Sequence, residues 1–458
     1  MVPTEVIRSP STRITELRIG RPPFPSISVP PTSAIRPDCC ADADVASAMQ
    51  EMNRIRTNMD PRNGLEMVRR LCTRGTPAAM MLLSFALACN SPTDASRGAP
   101  LTFSKLTLGL QHTCGITTEG DAYCWGTDGM LGDGTVMQRD RPSKVVGGRR
   151  YFDISTGSGE TCALATDSTT YCWGVGGPGN NGLEPVLVSS IKFQAISLGA
   201  YGLNKCAMTS EGDVYCWGTN VYGQVGDGTL SPVAAPKRVS TPRAARAIST
   251  LGGAHACLLA ETGEAYCWGY NGQGQLGIAD TAYTCSPVLA CAFPNSMVVK
   301  GGLTFTSVST GGGSTCGLTP SHAAYCWGSD LGGNSAADTC IPIIPCNPSP
   351  KLVAGSRSYA SITSGIDVTC AITIESDAYC WGSNEEAQLG NGVSGGKQPL
   401  ASQVVGGIKF RELYPGIRHT CGIALDGRAY CWGNNISGEL GIGSFDGLFP
   451  TPQAVVGP

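Results

Sequence analysis

A chain of 458 residues has room for two or three ordinary domains or for one large repeat architecture. With 61 Gly, 30 Pro and only 15% charged residues, it reads as a turn-rich all-β protein and excludes a long helical bundle. A net charge of −3 without clustered Lys and Arg removes the electrostatic case for nucleic acid or an acidic membrane surface.

Taken in chain order, residues 1–66 hold eight Arg and eight acids among scattered prolines, with no hydrophobic period, and read as disordered or as a miscalled start. Residues 67–88 read as an export signal. Arg69, Arg70 and Arg74 form a basic start and Ala78 to Ala88 an apolar run. Ala86-Leu87-Ala88-Cys89 is similar to a bacterial lipoprotein processing site, with the Ala and Leu exchanged, which makes Cys89 the candidate lipidation site. A plain secretory signal and a short buried helix are the alternatives. Residues 89–100 are then a short polar linker, and a lipid on Cys89 is the expected membrane attachment, because no other stretch is long enough to span a bilayer.

From residue 101 to 458 the chain repeats. Tyr-Cys-Trp-Gly occurs seven times, with Trp125, Trp173, Trp217, Trp268, Trp327, Trp381 and Trp432, spaced by 44 to 59 residues. That period belongs to propeller blades or solenoid units. Ten residues before each motif cysteine stands another: Cys114 with Cys124, Cys162 with Cys172, Cys206 with Cys216, Cys257 with Cys267, Cys316 with Cys326, Cys370 with Cys380 and Cys421 with Cys431. Two short strands around a turn are predicted in every unit. Nine intervening residues set the cysteines directly opposite if the loop has three residues, the last in the left-handed region. That third position holds Gly120, Gly212, Gly263 and Gly427 in four units, and Ser168, His322 and Ser376 in the others. An apolar segment such as Phe103 to Leu108 precedes each hairpin, and a Pro followed by a Val-rich stretch precedes that, giving four strands per unit.

The Tyr-Cys-Trp-Gly core, the Gly109-to-Cys114 type of approach and the Gly-Gln-Leu-Gly that follows, clearest at Gly274 to Gly277, together resemble the regulator of chromosome condensation repeat. The resemblance covers residues 101–458 and implies an all-β fold, a seven-bladed β-propeller of four-stranded blades. The first unit lacks a Pro-Val strand, whereas the tail from Thr451 to Gly457 follows the seventh hairpin. The tail is therefore expected to pair beside Phe103–Leu108, closing the ring by pairing the C-terminal strand with the first repeat.

Opposed pairs, an oxidising compartment and even parity favour nine disulfides, the seven above plus Cys285 with Cys291 and Cys340 with Cys346. Zinc sites need closer spacing and four converging ligands, so no metal is expected. His112, His255 and His419 share one repeat position, which suits structural hydrogen bonds better than catalysis, and His322 sits in a turn. No triad is singled out. Gly-Asp-Gly at 132–134 and 226–228 reads as turns rather than calcium loops. No cofactor is expected.

Two insertions, Cys285 to Cys291 and Cys340 to Cys346, interrupt neighbouring units at nearly the same place. Closed as loops they present Val288, Leu289, Ile341, Ile343 and Ile344 as a candidate contact ridge for a protein partner. The alternative is that they fold back onto the blade ends. The favoured reading is an exported, monomeric, non-catalytic binding module of scaffold, receptor or enzyme-inhibitor type, at the cell surface or in the periplasm. The resemblance also implies a second reading, a guanine nucleotide exchange factor for a small GTPase; an enzyme with a loop-borne site is the third.

Overall fold

The computed structural model describes residues 99–175, 182–199, 204–279, 291–329, 338–341, 344–355 and 357–458. The expected segments 1–66 and 67–88 and residue Cys89 lie outside them. The described residues form seven antiparallel sheets. The first sheet runs Phe103–Leu108, His112–Thr117, Ala122–Gly126, Arg139–Lys144, each strand pairing with the next, and the other six repeat that order. Blade 5 adds a fifth strand, Asp338–Ile341, outside Ile344–Leu352. First strands of successive sheets neighbour one another in a closed ring of seven, so the sheets are blades around an axis.

The hairpin turns have the geometry that the cysteine spacing demands. In blade 1, Thr117 N donates to Asp121 O at 2.8 Å and Gly120 N to Thr117 O at 2.9 Å, leaving a three-residue loop. All seven third-loop residues have positive φ, including Ser168 at 64°, His322 at 64° and Ser376 at 65°. The cysteines therefore face each other, and all seven hairpin pairs are bonded.

Each hairpin disulfide is fully buried under aromatic rings of the next blade. Cys114 and Cys124 share a core with Tyr151 and Trp173, and Cys257 and Cys267 share one with Phe305 and Trp327. Cys421 and Cys431 of blade 7 meet Phe103 and Trp125 of blade 1 in the same way. The tryptophan is locked edge and face. Trp327 Nε1 donates to Gln275 O at 3.0 Å, while Gly277 offers no Cβ where its ring lies. Trp125 repeats this against Glu439 O at 2.9 Å and Gly441.

An inner belt joins the first strands. A hydroxyl of one blade accepts the backbone N–H of the next, from Thr156 to Thr107, Leu198 to Ser155, Thr250 to Ser197, Thr310 to Ser249 and Ser364 to Ser309, all at 2.9–3.0 Å. At blade 7 the belt stops. Pro415 has no N–H to give, and the position of the hydroxyl is taken by Tyr414, whose phenol donates to Glu412 instead.

The expected closure is not what the fold uses. The tail strand Leu448–Ala454 pairs with Ala429–Asn434 of its own blade, Tyr430 opposite Ala454, and not with Phe103–Leu108. The Pro-containing strand follows the tryptophan motif in its sheet as the outermost strand, so blade 1 already has its own in Arg139–Lys144. The ends instead meet through side-chain packing and a main-chain contact, Phe103 N to Gly427 O at 2.9 Å. That contact copies Tyr151 N to Gly120 O and Phe305 N to Gly263 O at covalently linked junctions. Closure is thus one more blade junction without a connecting loop. Prolines such as Pro142, Pro236, Pro294, Pro399 and Pro450 lie in the outermost strands, where their missing N–H groups discourage sheet-to-sheet addition.

Candidate interaction surface

Alternating strand directions send two loops of each blade to the same face of the ring. The loop after the first strand touches the loop after the third: Thr127 N donates to Gln111 O at 2.9 Å, Tyr270 N to Ala254 O at 2.8 Å and Asn434 N to Arg418 O at 3.0 Å. The short hairpin turns and inter-blade connections occupy the opposite face, where Lys192 Nζ caps Asp167 O at 2.6 Å and Lys409 Nζ caps Glu375 O at 3.0 Å. The first face carries the longer, more variable loops.

Both insertions singled out in the sequence lie between the third and fourth strands in chain order, in blades 4 and 5. Ile341 and Ile344 are partners across a hairpin formed by Asp338–Ile341 and Ile344–Leu352 at the outer edge of blade 5. Cys291 is disulfide-bonded and its carbonyl accepts Asn271 N at 3.0 Å. Val288, Leu289, Ile343 and Cys285 lie outside the described residues, as do the side chains of Cys340 and Cys346.

The same class of loop bears apolar residues that sequence reading passed over. Val136 and Met137 in blade 1, Val221 in blade 3, Val393 in blade 6 and Phe445 in blade 7 are each about half or more exposed. Tyr222 and Tyr270 stand 5.0 Å apart, ring to ring, across blades 3 and 4. Their signal was available: an apolar residue between glycines, after a tryptophan motif, has no strand to pack beneath.

Loop shape is fixed in part by buried amides. Asn220 Oδ1 accepts Val225 N at 2.9 Å, and Asn384 Oδ1 accepts Leu389 N at 3.1 Å. Asp133 accepts Arg139 Nε, Ser143 Oγ and Thr135 N, and Asp227 accepts Lys237 Nζ and Thr229 N, so the Gly-Asp-Gly strings are turns tied to the outermost strand. Burial opposes ionisation of Asp227, yet the Lys237 and Thr229 bonds hold it at about 2. Among the described residues one cluster has metal-like proximity, Glu160 with Cys162 and Cys172, but those sulfurs are joined in a disulfide. Glu160 instead pairs with Lys205 at 2.9 Å; burial raises its carboxyl and Lys205 pulls it back.

The repeat-position histidines make the structural hydrogen bonds expected of them. His112 Nε2 meets Thr161 Oγ1 at 3.2 Å, His255 Nε2 meets Thr315 Oγ1 at 2.8 Å, and His419 Nε2 meets Thr113 Oγ1 at 2.7 Å, each to the following blade and the last across the ring closure. Burial lowers them to about 4, 3 and 3. His322 Nδ1 lies 3.0 Å from Tyr359 O at its turn. No described helix is long and apolar enough to cross a membrane.

A closed ring of seven blades, with the tryptophan of each packed on the hairpin disulfide of the blade before it, defines a seven-bladed β-propeller. The family described as the regulator of chromosome condensation (RCC1) repeat matches residues 211–259 and 262–318, and a second pattern of that description matches 103–130, 246–275 and 416–439. These segments carry that repeat. It is 29% identical to the ultraviolet-B receptor UVR8 of Arabidopsis thaliana over 75% of this chain and 80% of that one. It is 27% identical to the mitochondrial RCC1 domain-containing protein RUG3 of the same plant over 42% of this chain, and spans 43% of that relative's length. Of the human E3 ubiquitin-protein ligase HERC2 it spans 5%, at 27% identity over 49% of this chain. The structure of Prp20p from Saccharomyces cerevisiae, described with its binding to Gsp1p and histones, superposes with a TM-score of 0.61 at 20% identity, over 78% of this chain and 87% of that one.

Proposed function

We propose that this propeller is an exported, non-catalytic protein-binding module, held near a membrane by lipid on Cys89, with its contacts on the face that carries the long loops. The observation that carries the reading is the presence of seven buried hairpin disulfides together with insertions between the third and fourth strands of adjacent blades. Disulfides in every blade suit an oxidising compartment. A stiff frame presenting apolar loop residues suits a protein partner, since little ordering entropy remains to be lost on binding. Val288, Leu289, Ile341, Ile343 and Ile344 form the ridge in this reading, and Val221, Tyr222 and Tyr270 extend it. The likeness to a structure described as binding Gsp1p and histones supports protein recognition as the general use of the scaffold.

The test is cross-linking on intact cells, comparing the wild type with a chain carrying both Leu289→Asp and Ile343→Asp. Loss of the captured partner with unchanged thermal stability is the expected result, and undiminished capture defeats the ridge. Intact mass of the native protein addresses export: a chain starting at a lipidated Cys89 supports the reading. An unprocessed chain with free thiols, together with accelerated nucleotide release from a small GTPase, would replace it with the exchange-factor reading.

A further inference from the structure

Glu439 occupies a position that three other described blades fill with glutamine, and it does so at the junction that closes the ring. In blades 3, 4 and 6 the side-chain oxygens of Gln224, Gln275 and Gln388 accept the N–H of Tyr222, Gln273 and Glu386 at 2.8–2.9 Å. Glu439 Oε2 does the same for Ser437 N at 2.7 Å. Its carbonyl takes Trp125 Nε1 and Thr113 Oγ1 from blade 1, as Gln388 O takes Trp432 Nε1 and Thr420 Oγ1. The remaining side-chain atom differs. Gln388 Nε2 donates to Ile417 O of the next blade at 3.4 Å, Gln275 Nε2 is buried without a partner, and Glu439 Oε1, fully buried, likewise has no hydrogen-bond partner. A carboxylate oxygen has nothing to donate, and the residue equivalent to Ile417 in blade 1 is Leu110.

This junction is braced differently from the others. The inner hydroxyl belt lacks its usual bond on both sides of blade 7, at Pro415 and at Tyr414, whose phenol interacts with the backbone of Leu106 in blade 1, and no loop connects blade 7 to blade 1. We propose that the junction of blades 7 and 1 is a pH-sensitive latch: Glu439 is protonated in the closed ring, donates from Oε1 toward the carbonyl of Leu110, and loosens the junction when it ionises.

The surroundings agree. Burial pushes Glu439 up to about 7 against the pull of backbone N–H groups, including that of Ser437. Arg418, from the inner loop of blade 7, favours the charged form, and Glu386, from the loop of blade 6, opposes it. On the two blades that meet there, His112 and His419 are kept neutral by burial. An acid raised in the folded state contributes stability that is complete below its ordinary value and lost as pH rises toward its folded value. The window here runs from about 4.5 to about 7.

The experiment compares the oxidised full chain with Glu439→Gln, by urea unfolding and by amide exchange at pH 5, 6, 7 and 8. The variant should gain on the wild type as pH rises, by roughly 40-fold in the unfolding equilibrium between pH 5 and 7 and about 70-fold by pH 8, where the two profiles become parallel. Segment 101–117 of the wild type should lose protection across this range after correction for intrinsic rate, while 245–260 does not. Equal pH slopes for the two proteins would overturn the latch. If the variant does not fold, unchanged wild-type protection of 101–117 relative to 245–260 would overturn it alone.

Discussion

Replacing Gly441 by Ala tests whether the ring is closed by the same lock as its other junctions. Gly441 has a φ of 67°, and an added Cβ would lie 2.7 Å from Trp125 Nε1 and 3.0 Å from its Cδ1. Gly277 has the same φ, and its Cβ would lie 2.7 Å and 2.8 Å from those atoms of Trp327. The left-handed backbone costs Ala about 1–2 kcal/mol. Displacing a buried indole that donates to a carbonyl adds about 1–3 kcal/mol. Each substitution should therefore cost about 2–5 kcal/mol, and the two should agree within about 1 kcal/mol. Urea denaturation at pH 7, oxidised, provides the comparison. A near-neutral Gly441→Ala beside a costly Gly277→Ala would mean that the tryptophan lock does not hold blade 7 to blade 1, refuting closure by side-chain packing.

The buried histidines predict an acid limit. With folded values of about 3 to 4 against an ordinary 6.5, His112, His255 and His419 contribute stability above pH 6.5 that is lost on acidification, at no more than about 4 kcal/mol per pH unit for all three. Urea midpoints from pH 7 to 4 should fall steeply, and less so in His255→Gln; parallel profiles would contradict neutral burial. Removing one hairpin disulfide by Cys257→Ala with Cys267→Ala should cost about 1–3 kcal/mol, measured by calorimetry, because a short and already ordered loop is released and the alanines leave space under Trp327. Val221→Asp and Phe445→Asp, on exposed loops, should leave the melting temperature within about 2 °C, which allows them as binding probes.

Periodic features were legible because each is imposed by local chemistry. Ten-residue cysteine spacing fixed the hairpin loop, and with it the left-handed residues at Ser168, His322 and Ser376. The frame of the repeat was not legible in the same way. In a cyclic array the Pro-containing strand reads equally well as the first element of one unit or the last of the unit before it, and only sheet pairing decides. Placing it first left blade 1 short of a strand and sent the tail to Phe103, whereas pairing of Tyr430 with Ala454 keeps it in blade 7. Histidine roles were legible from their recurrence; their threonine partners, one blade ahead, were not, because blade-to-blade register is a tertiary property. Glu439 stands in a near-match to the Gly-Gln-Leu-Gly element, so its place among the glutamines was legible, whereas its unpartnered oxygen at the ring closure was not.

The cysteines tie fold to function more closely than the propeller does. Fourteen sulfurs lie at the centres of the blade junctions, each pair beneath the aromatic residues of the next blade. A reduced thiol packs as a small apolar group, so reduction would remove cross-links without emptying the core. The tryptophan locks, the histidine–threonine bonds and the belt would remain. A propeller that functions in a reducing compartment therefore gains nothing from cysteine at these positions that alanine or valine could not supply. Cysteine in both positions of all seven hairpins, directly opposed every time, is explained by disulfide formation, which is compatible with an oxidising compartment. The proposed export rests on those pairs, and the proposed partner on the long loops of the other face.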